Sequence, residues 1–367
     1  MDQFHDIRPY NDDEVAGVLE SLVETPDFIK TIIGFRFAKW PQWTRGVLSS
    51  LVKFVLKREV SKIQCVHDFQ MKVAGYMERM IKTTTTDVEY RGIEKLKKGE
   101  GYLFLSNHRD IAMDPAFVNY GLYLAGLDTV RIAIGDNLLR REFVSDLMRL
   151  NKSFIVKRSA NGVREMMAAF GQLSSYITHS LTEDHSNIWI AQKEGRAKDG
   201  IDQTDPAIIK MFYMSQKKQK VAFPDAMKSL KIVPVSISYE YDPCAFDKAN
   251  ELLQKSTTGS YEKSEFEDID SIKNGIVGYK GKVVVTFGDL IDHNCDTPEE
   301  MVEEIDRQII ANYAVHPSNQ AALAMLNGDV SKDKAFSEYM ETCPDDLRET
   351  VLKMYANPLI QQQSRVQ

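Results

Sequence analysis

The stretch YLFLSNHRDIAMDP, Tyr102 to Pro115, brings one histidine and two aspartates close together. A histidine near neutral pH can take a proton from a hydroxyl. A carboxylate on its other ring nitrogen would fix the tautomer and stabilise the charge that forms. From His108, Asp110 is two positions on and Asp114 is six. On one helix, six positions leave side chains about 240° apart. Asp114 therefore meets His108 only if a loop carries the histidine back over the helix start. On the residues alone both carboxylates are candidates.

The elements around these residues suit such a loop. Tyr102–Ser106 has the pattern of a short, mostly buried strand, and Asn107-His108 breaks out of it. Asp114-Pro115 reads as a helix start, with Asp at the N-cap and Pro at the first helical position. A histidine at the carboxyl end of a strand, facing a carboxylate at the next helix, is a common way for α/β folds to present reacting groups.

Two basic groups fall at comparable places. The strand over 153–157 ends in Lys157-Arg158, and the strand over 187–191 runs into Gln192-Lys193-Glu194-Gly195-Arg196-Ala197-Lys198. Strand carboxyl ends share one rim of a parallel sheet, so Lys157, Arg158, Lys193, Arg196 and Lys198 are candidates to hold an anion beside His108. Guanidinium groups match phosphate bidentately, and Gly195 would let backbone come close. Ile134-Gly135-Asp136-Asn137 again closes a strand and opens a helix. The stripe that follows, Leu138, Leu139, Phe143, Leu147 and Leu150, reads as plain core or as the wall of an apolar groove. Pro234 inside Val233-Pro234-Val235 suggests an edge strand or a bulge.

Residues 1–84 read as helical throughout. Val15, Val18, Leu19, Leu22 and Val23 recur at helical spacing behind Asp12-Asp13-Glu14. From Phe28 to Arg58 there is no acidic residue, while Lys30, Arg36, Lys39, Arg45, Lys53, Lys57 and Arg58 stand among Trp40 and Trp43. A helix from Trp43 would place Val47, Leu48, Leu51, Val52 and Val55 on one side, with Arg45, Lys53 and Lys57 on the other. Such a segment suits peripheral contact with an anionic membrane or an ordinary core-packed helix with a basic outer face. The threonine run 83–86 marks the exit. Beyond it strands at 102–106, 130–134, 153–157, 187–191, 232–238 and 282–287 alternate with helices. That order predicts an α/β domain over 85–367, with a mixed, mostly parallel sheet flanked by helices and preceded by a smaller all-helical domain over 1–84. The polar stretch 245–275 reads as an insertion or long loop, and Thr297-Pro-Glu-Glu opens a helix over 297–313.

At 367 residues and 43% hydrophobic, the chain can bury a large core. A net charge of −7 argues against general nucleic-acid binding. Cys65, Cys244, Cys295 and Cys343 lack metal or disulfide spacing, which predicts reduced thiols, no metal and a cytoplasmic setting. No run approaches the length of a membrane span.

Taken together, SNHRDIAMD, IAIGDNLLRREF through FIVKR, AQKEGRAKDG and IVPVSISYE resemble the four motifs of the glycerolipid acyltransferase superfamily, the glycerol-3-phosphate and 1-acylglycerol-3-phosphate acyltransferases. Order and approximate spacing fit over about residues 87–330. The helical start resembles the soluble plastid-type glycerol-3-phosphate enzymes. The resemblance implies transfer of a fatty acyl group from acyl-CoA or acyl carrier protein to a hydroxyl of glycerol phosphate or lysophosphatidate, with no cofactor beyond that donor. It implies His108 as base with Asp114 as partner, and Arg196 and Lys198 on the acceptor phosphate with Lys157, Arg158 and Lys193 beside them. Arg109, Asp110, Gly135, Glu194 and Gly195 are further candidates. One residue more than the family spacing separates His108 from Asp114, which keeps Asp110 as the other partner, and the third motif lacks the family's Pro before Glu and Thr after Gly. A second reading is a non-catalytic lipid-binding protein at a membrane surface, anchored through 28–58.

Overall fold

A computed structural model describes residues 2–37, 45–139, 141–159, 162–264 and 267–366. Lys39, Trp40 and Trp43 fall outside the described residues, as do the side chains of Arg36 and Arg45. In chain order, α1 (Asp12–Glu24), α2 (Pro26–Arg36), α3 (Arg45–Val60) and α4 (Val66–Thr84) lead into β1 (Thr85–Arg91) and β2 (Leu103–Ser106). Then come α5 (Met113–Leu124), β3 (Arg131–Gly135), α6 (Glu142–Leu150), β4 (Ser153–Val156), α7 (Val163–Thr182) and β5 (Ile188–Ala191). After α8 (Pro206–Lys218) and α9 (Phe223–Ser229) follow β6 (Ile232–Tyr239), α10 (Ala245–Thr258), α11 (Glu267–Val277) and β7 (Gly281–Phe287). The chain closes with α12 (Pro298–Asn312), α13 (Pro317–Leu326), α14 (Lys334–Glu341) and α15 (Arg348–Val366).

Two compact units emerge: residues 1–76 with 131–169, and residues 77–130 with 170–367. The first unit takes in β3, α6 and β4 besides the helical start expected up to residue 84. Phe143 and Leu150 of α6 are buried with Val15, Leu19, Leu22, Ile63 and Val66. The 138–150 stripe is thus mainly core of this unit. Tyr10 donates to Asp146 at 2.6 Å, and Ile155 N–H to the Ile7 carbonyl at 2.8 Å. β3 and β4 pair in parallel. On α3 the apolar side splits. Leu48 and Val52 are buried with Ile29 and Ile33, while Val47, Leu51, Phe54 and Val55 are at least half exposed. Lys53 and Lys57 both reach Glu24 of α1. No described helix is long and apolar enough to cross a membrane.

The second unit is built on a sheet ordered β1-β7-β6-β2-β5. Only β6 and β7 are antiparallel; β1–β7, β6–β2 and β2–β5 are parallel. β2 is central, with Leu103–Ser106 in register with Ile188–Ala191 on one side and Ile232–Val235 on the other. All four β2 residues and all eight β6 residues are buried, which is why these strands read as mostly apolar runs. Because β2 and β5 run the same way, the segments after Ser106 and Ala191 leave from one rim.

Two expectations are corrected. β6 is an interior strand, not an edge. Pro234 is tolerated because its carbonyl accepts from Gly288 at 2.8 Å just past Val235↔Phe287, the last antiparallel pair. A residue's N–H and C=O point to the same side of a strand, so the missing donor sits where that ladder is already ending. The stretch 245–275 is two helices. Their polar residues include the buried Lys248 and Glu251, so polarity there does not mean solvent. The threonine run ends α4 and begins β1: Thr84 and Thr85 hydroxyls bond back to the Met80 and Ile81 carbonyls at 2.8 and 2.7 Å.

The C-terminal helix α15 buttresses the segment after β5. Gln361 accepts from Asp202 N–H at 2.8 Å and donates to its carbonyl at 2.9 Å, and Asn357 donates to the Asp199 carbonyl. Gly200 sits at φ +80°, where a Cβ would lie 2.2 Å from the Met354 carbonyl oxygen. Gly200→Ala combines left-handed strain with overlap and should cost about 2–4 kcal/mol. Urea unfolding should show a clear loss against wild type; an unchanged midpoint would contradict this packing.

Candidate active site

At the end of β2 the backbone leaves the sheet, and the Asn107 side chain takes its place. Its carbonyl oxygen accepts from Ile237 N–H at 2.8 Å and its amide donates to the Ile237 carbonyl at 3.0 Å, so the β6 edge stays satisfied. His108 is thereby turned out onto the rim.

The ring Nδ1 of His108 lies 2.8 Å from Asp114 Oδ2. That oxygen also accepts the backbone N–H of Arg109 at 2.6 Å and of Asp110 at 2.9 Å. The other oxygen, Oδ1, accepts the Tyr239 hydroxyl at 2.7 Å. Asp114 is fully buried, and the His108 side chain retains 14% of its exposure. With Nδ1 donating to a carboxylate, Nε2 carries the lone pair. Trp189 of β5 meets the imidazole edge-on, with ring centroids 5.7 Å apart.

Asp110 has a different task. Its Oδ1 accepts from Ala112 N–H at 3.0 Å and Met113 N–H at 2.9 Å, capping the start of α5 from outside the helix. The helix therefore begins at Met113, ahead of the expected cap at Asp114. Asp114 lies inside the first turn, and its carboxylate can turn back to the loop. Burial and the Asp114 charge push the Asp110 pKa up. Of the two carboxylates, Asp114 is the one bonded to the imidazole.

Arg109 points inward. It donates to the Ala197 and Gly200 carbonyls at 3.1 Å each and to Asp202 at 2.7 Å, and it lies over the Tyr313 ring. Burial works against its charge, but Asp202, Tyr313, Asp114 and Asp242 together outweigh this and raise its pKa. Its own carbonyl accepts the Lys248 ammonium at 2.6 Å. Arg109 thus ties the histidine loop to the turn after β5.

That turn is joined to His108 directly, for Ala197 N–H donates to the His108 carbonyl at 2.8 Å. Gly195 holds φ +76°, which explains a glycine there although a Cβ would have room. Glu194 is exposed, and Lys193 and Arg196 are half-buried. Arg196 reaches Ser271 of α11 at 3.4 Å. Lys198 is ion-paired with the buried Glu251, and burial lowers its pKa.

The other basic group belongs to the first unit. Lys157 pairs with Asp6, and the Arg158 backbone N–H donates to Asp136 at 3.2 Å. The Arg158 guanidinium lies close over Gly135, where a Cβ would come within 3.1 Å of it. Among the described residues no three His, Cys, Asp or Glu side chains gather as a metal group.

Sequence reasoning missed Tyr239, Asp202, Glu251 and the bracing role of α15. Tyr239 is the penultimate residue of the fourth motif, but nothing in its local pattern distinguishes it from a core tyrosine. Arg109 and Asp202 form a buried pair, so removing one partner strands a charge. Arg109→Met should cost about 3–5 kcal/mol, and Arg109→Met with Asp202→Asn should recover part of it. Denaturant melts of the single and double variants check this; equal losses in both would contradict it.

Residues 87–238 match the protein family described as Acyltransferase. No curated protein matches the chain. Among solved structures, the 1-acyl-sn-glycerophosphate (LPA) acyltransferase PlsC from Thermotoga maritima is similar at 13% identity, over 80% of this chain and 90% of that one. The TM-score is 0.37, a likeness too slight to carry an argument. The segment that matches the Acyltransferase family contains His108, Asp114 and the turn after β5.

Proposed function

We propose that the chain transfers a fatty acyl group from a thioester, acyl-CoA or acyl carrier protein, to a hydroxyl of glycerol 3-phosphate or 1-acylglycerol 3-phosphate. One observation carries the reading: His108 is held by Asp114 through Nδ1, on a loop whose own carbonyl is bonded to the turn bearing Lys193 and Arg196. His108 Nε2 takes the hydroxyl proton as the oxygen attacks the thioester carbonyl. The C–S bond breaks, and the leaving thiolate takes the proton back from the imidazolium. Asp114 balances the charge on the imidazolium in between. No covalent acyl-enzyme is formed, and the chemistry asks for nothing beyond donor and acceptor.

Arg196 and Lys193 hold the acceptor phosphate in this reading. Lys198 is ion-paired with Glu251, which it shares with Lys255, and plays a lesser part. The exposed Val47, Leu51, Phe54 and Val55, on a stretch without acidic residues, give the protein a peripheral grip on an anionic membrane at the cytoplasmic face.

Thiol release from acyl-CoA, measured with glycerol 3-phosphate, lysophosphatidate and other lysophospholipids, tests this directly. Wild type should release thiol only with a phosphate-bearing acceptor. His108→Ala should lower turnover by about 10²–10⁴-fold with the fold retained, and Arg196→Ala should chiefly raise the acceptor KM. Acceptor-independent release would make the protein a thioesterase. Absence of release with every acceptor would favour the lipid-binding reading. For the membrane grip, Leu51→Ser with Phe54→Ser should abolish co-sedimentation with anionic vesicles; undiminished binding would contradict it.

A further inference from the structure

The Asp114 carboxylate has two oxygens, and they are held from different parts of the chain. Oδ2 takes the imidazole and two backbone N–H groups of the loop. Oδ1 takes one side chain, the hydroxyl of Tyr239, the last residue of β6. Tyr239 has 7% of its surface exposed. Its ring packs edge-on against Phe117 of α5, with centroids 5.9 Å apart. It is therefore gripped between the strand that carries it and the helix that carries Asp114.

We propose that Tyr239 is a positioning residue for the His108–Asp114 pair, whose hydroxyl fixes the carboxylate plane and moderates its pull on the imidazole proton. The inference deepens the acyl-transfer reading and rests on it for its catalytic consequence, though not for its physical one. The first effect is geometric. With Oδ1 held, Oδ2 stays aimed at Nδ1, and the ring keeps Nε2 presented. The second is electrostatic. A donor on Oδ1 draws off carboxylate charge, so the carboxylate stabilises the imidazolium less than an unpartnered one would.

The hydroxyl is suited to donate at any working pH. Burial and the Asp114 charge hold its pKa well above that of an ordinary tyrosine. Other charges around the pair come from every side. Asp110 lies on the same loop, and Arg109 with Asp202 lies beneath it. Asp242 in the turn after β6 is paired with Lys248 of α10. Lys280, just before β7, feels Asp110 and has its pKa lowered by burial to about 8. Tyr239 is the group among these that contacts Asp114 Oδ1.

Tyr239→Phe removes the hydroxyl and keeps the ring. The His108 titration is then followed by long-range proton–nitrogen NMR, with the resonance assigned by its loss in His108→Ala. Its midpoint should move upward in Tyr239→Phe. With 3-fluorotyrosine at 239, a stronger donor, it should move downward. In the thiol-release assay, Tyr239→Phe should lower kcat about 10- to 100-fold with little change in KM, and the acid limb of the pH profile should follow the NMR midpoint. If Phe unfolds the protein, the fluorotyrosine arm decides alone. An unmoved midpoint in the folded variants would overturn the proposal, whether or not the protein transfers acyl groups. A moved midpoint in a protein that releases no thiol would leave the positioning role standing and remove only the acyl-transfer reading.

Discussion

A single carboxylate organises the rim of this sheet. Among the described residues, Asp114 is buried without a cation in salt-bridge contact, except when the imidazole is protonated, and it is held instead by four donors. An ionised group removed from water is tolerable only with such a shell. The shell dictates much of what surrounds it. The two backbone donors on Oδ2 require the loop from His108 to Asp110 to curl over the helix start. Asp110 then caps that start with its own side chain. The extra residue between His108 and Asp114, relative to the related motif, is accommodated in this curl.

Further charge pairs, buried or partly buried, hold the neighbouring turn against the loop. Arg109 pairs with Asp202, Lys198 with Glu251, and Lys248 with Asp242. Buried pairs of this kind contribute little net stability against well-packed apolar residues. What they contribute here is register. Arg109 reaches two carbonyls and a carboxylate of one turn, so that turn cannot slide without leaving donors and acceptors unmet. The hydrogen bond from Ala197 to the His108 carbonyl completes the link between the proton acceptor and the basic segment.

Much of this was legible from residue order. The strand ending at Ser106, the loop histidine and the carboxylate six positions on could be placed because apolar period and loop chemistry are local signals. The alternation after residue 85 named the sheet, since interior strands leave apolar runs such as Ile232–Val235. What escaped depends on partners distant in sequence. Lys198 reads as a free cation until Glu251, on a helix that reads as a polar loop, is seen to pair with it and with Lys255. Pro234 looks like an edge marker until its neighbour strand is seen to stop pairing there. Tyr239 is one of many tyrosines until the fold brings its hydroxyl 2.7 Å from Asp114. Grouping of β3, α6 and β4 with the helical start is likewise a matter of tertiary packing, carried by Phe143 and Leu150.

The central claim is that His108 and the cations after β5 address one acceptor molecule. A crystal structure of the protein soaked with glycerol 3-phosphate measures this most directly. The account expects the phosphate on Arg196 and Lys193, with an acceptor hydroxyl about 2.6–3.2 Å from His108 Nε2. A phosphate bound away from that turn, or an imidazole whose Nε2 faces protein and not the acceptor, would contradict it.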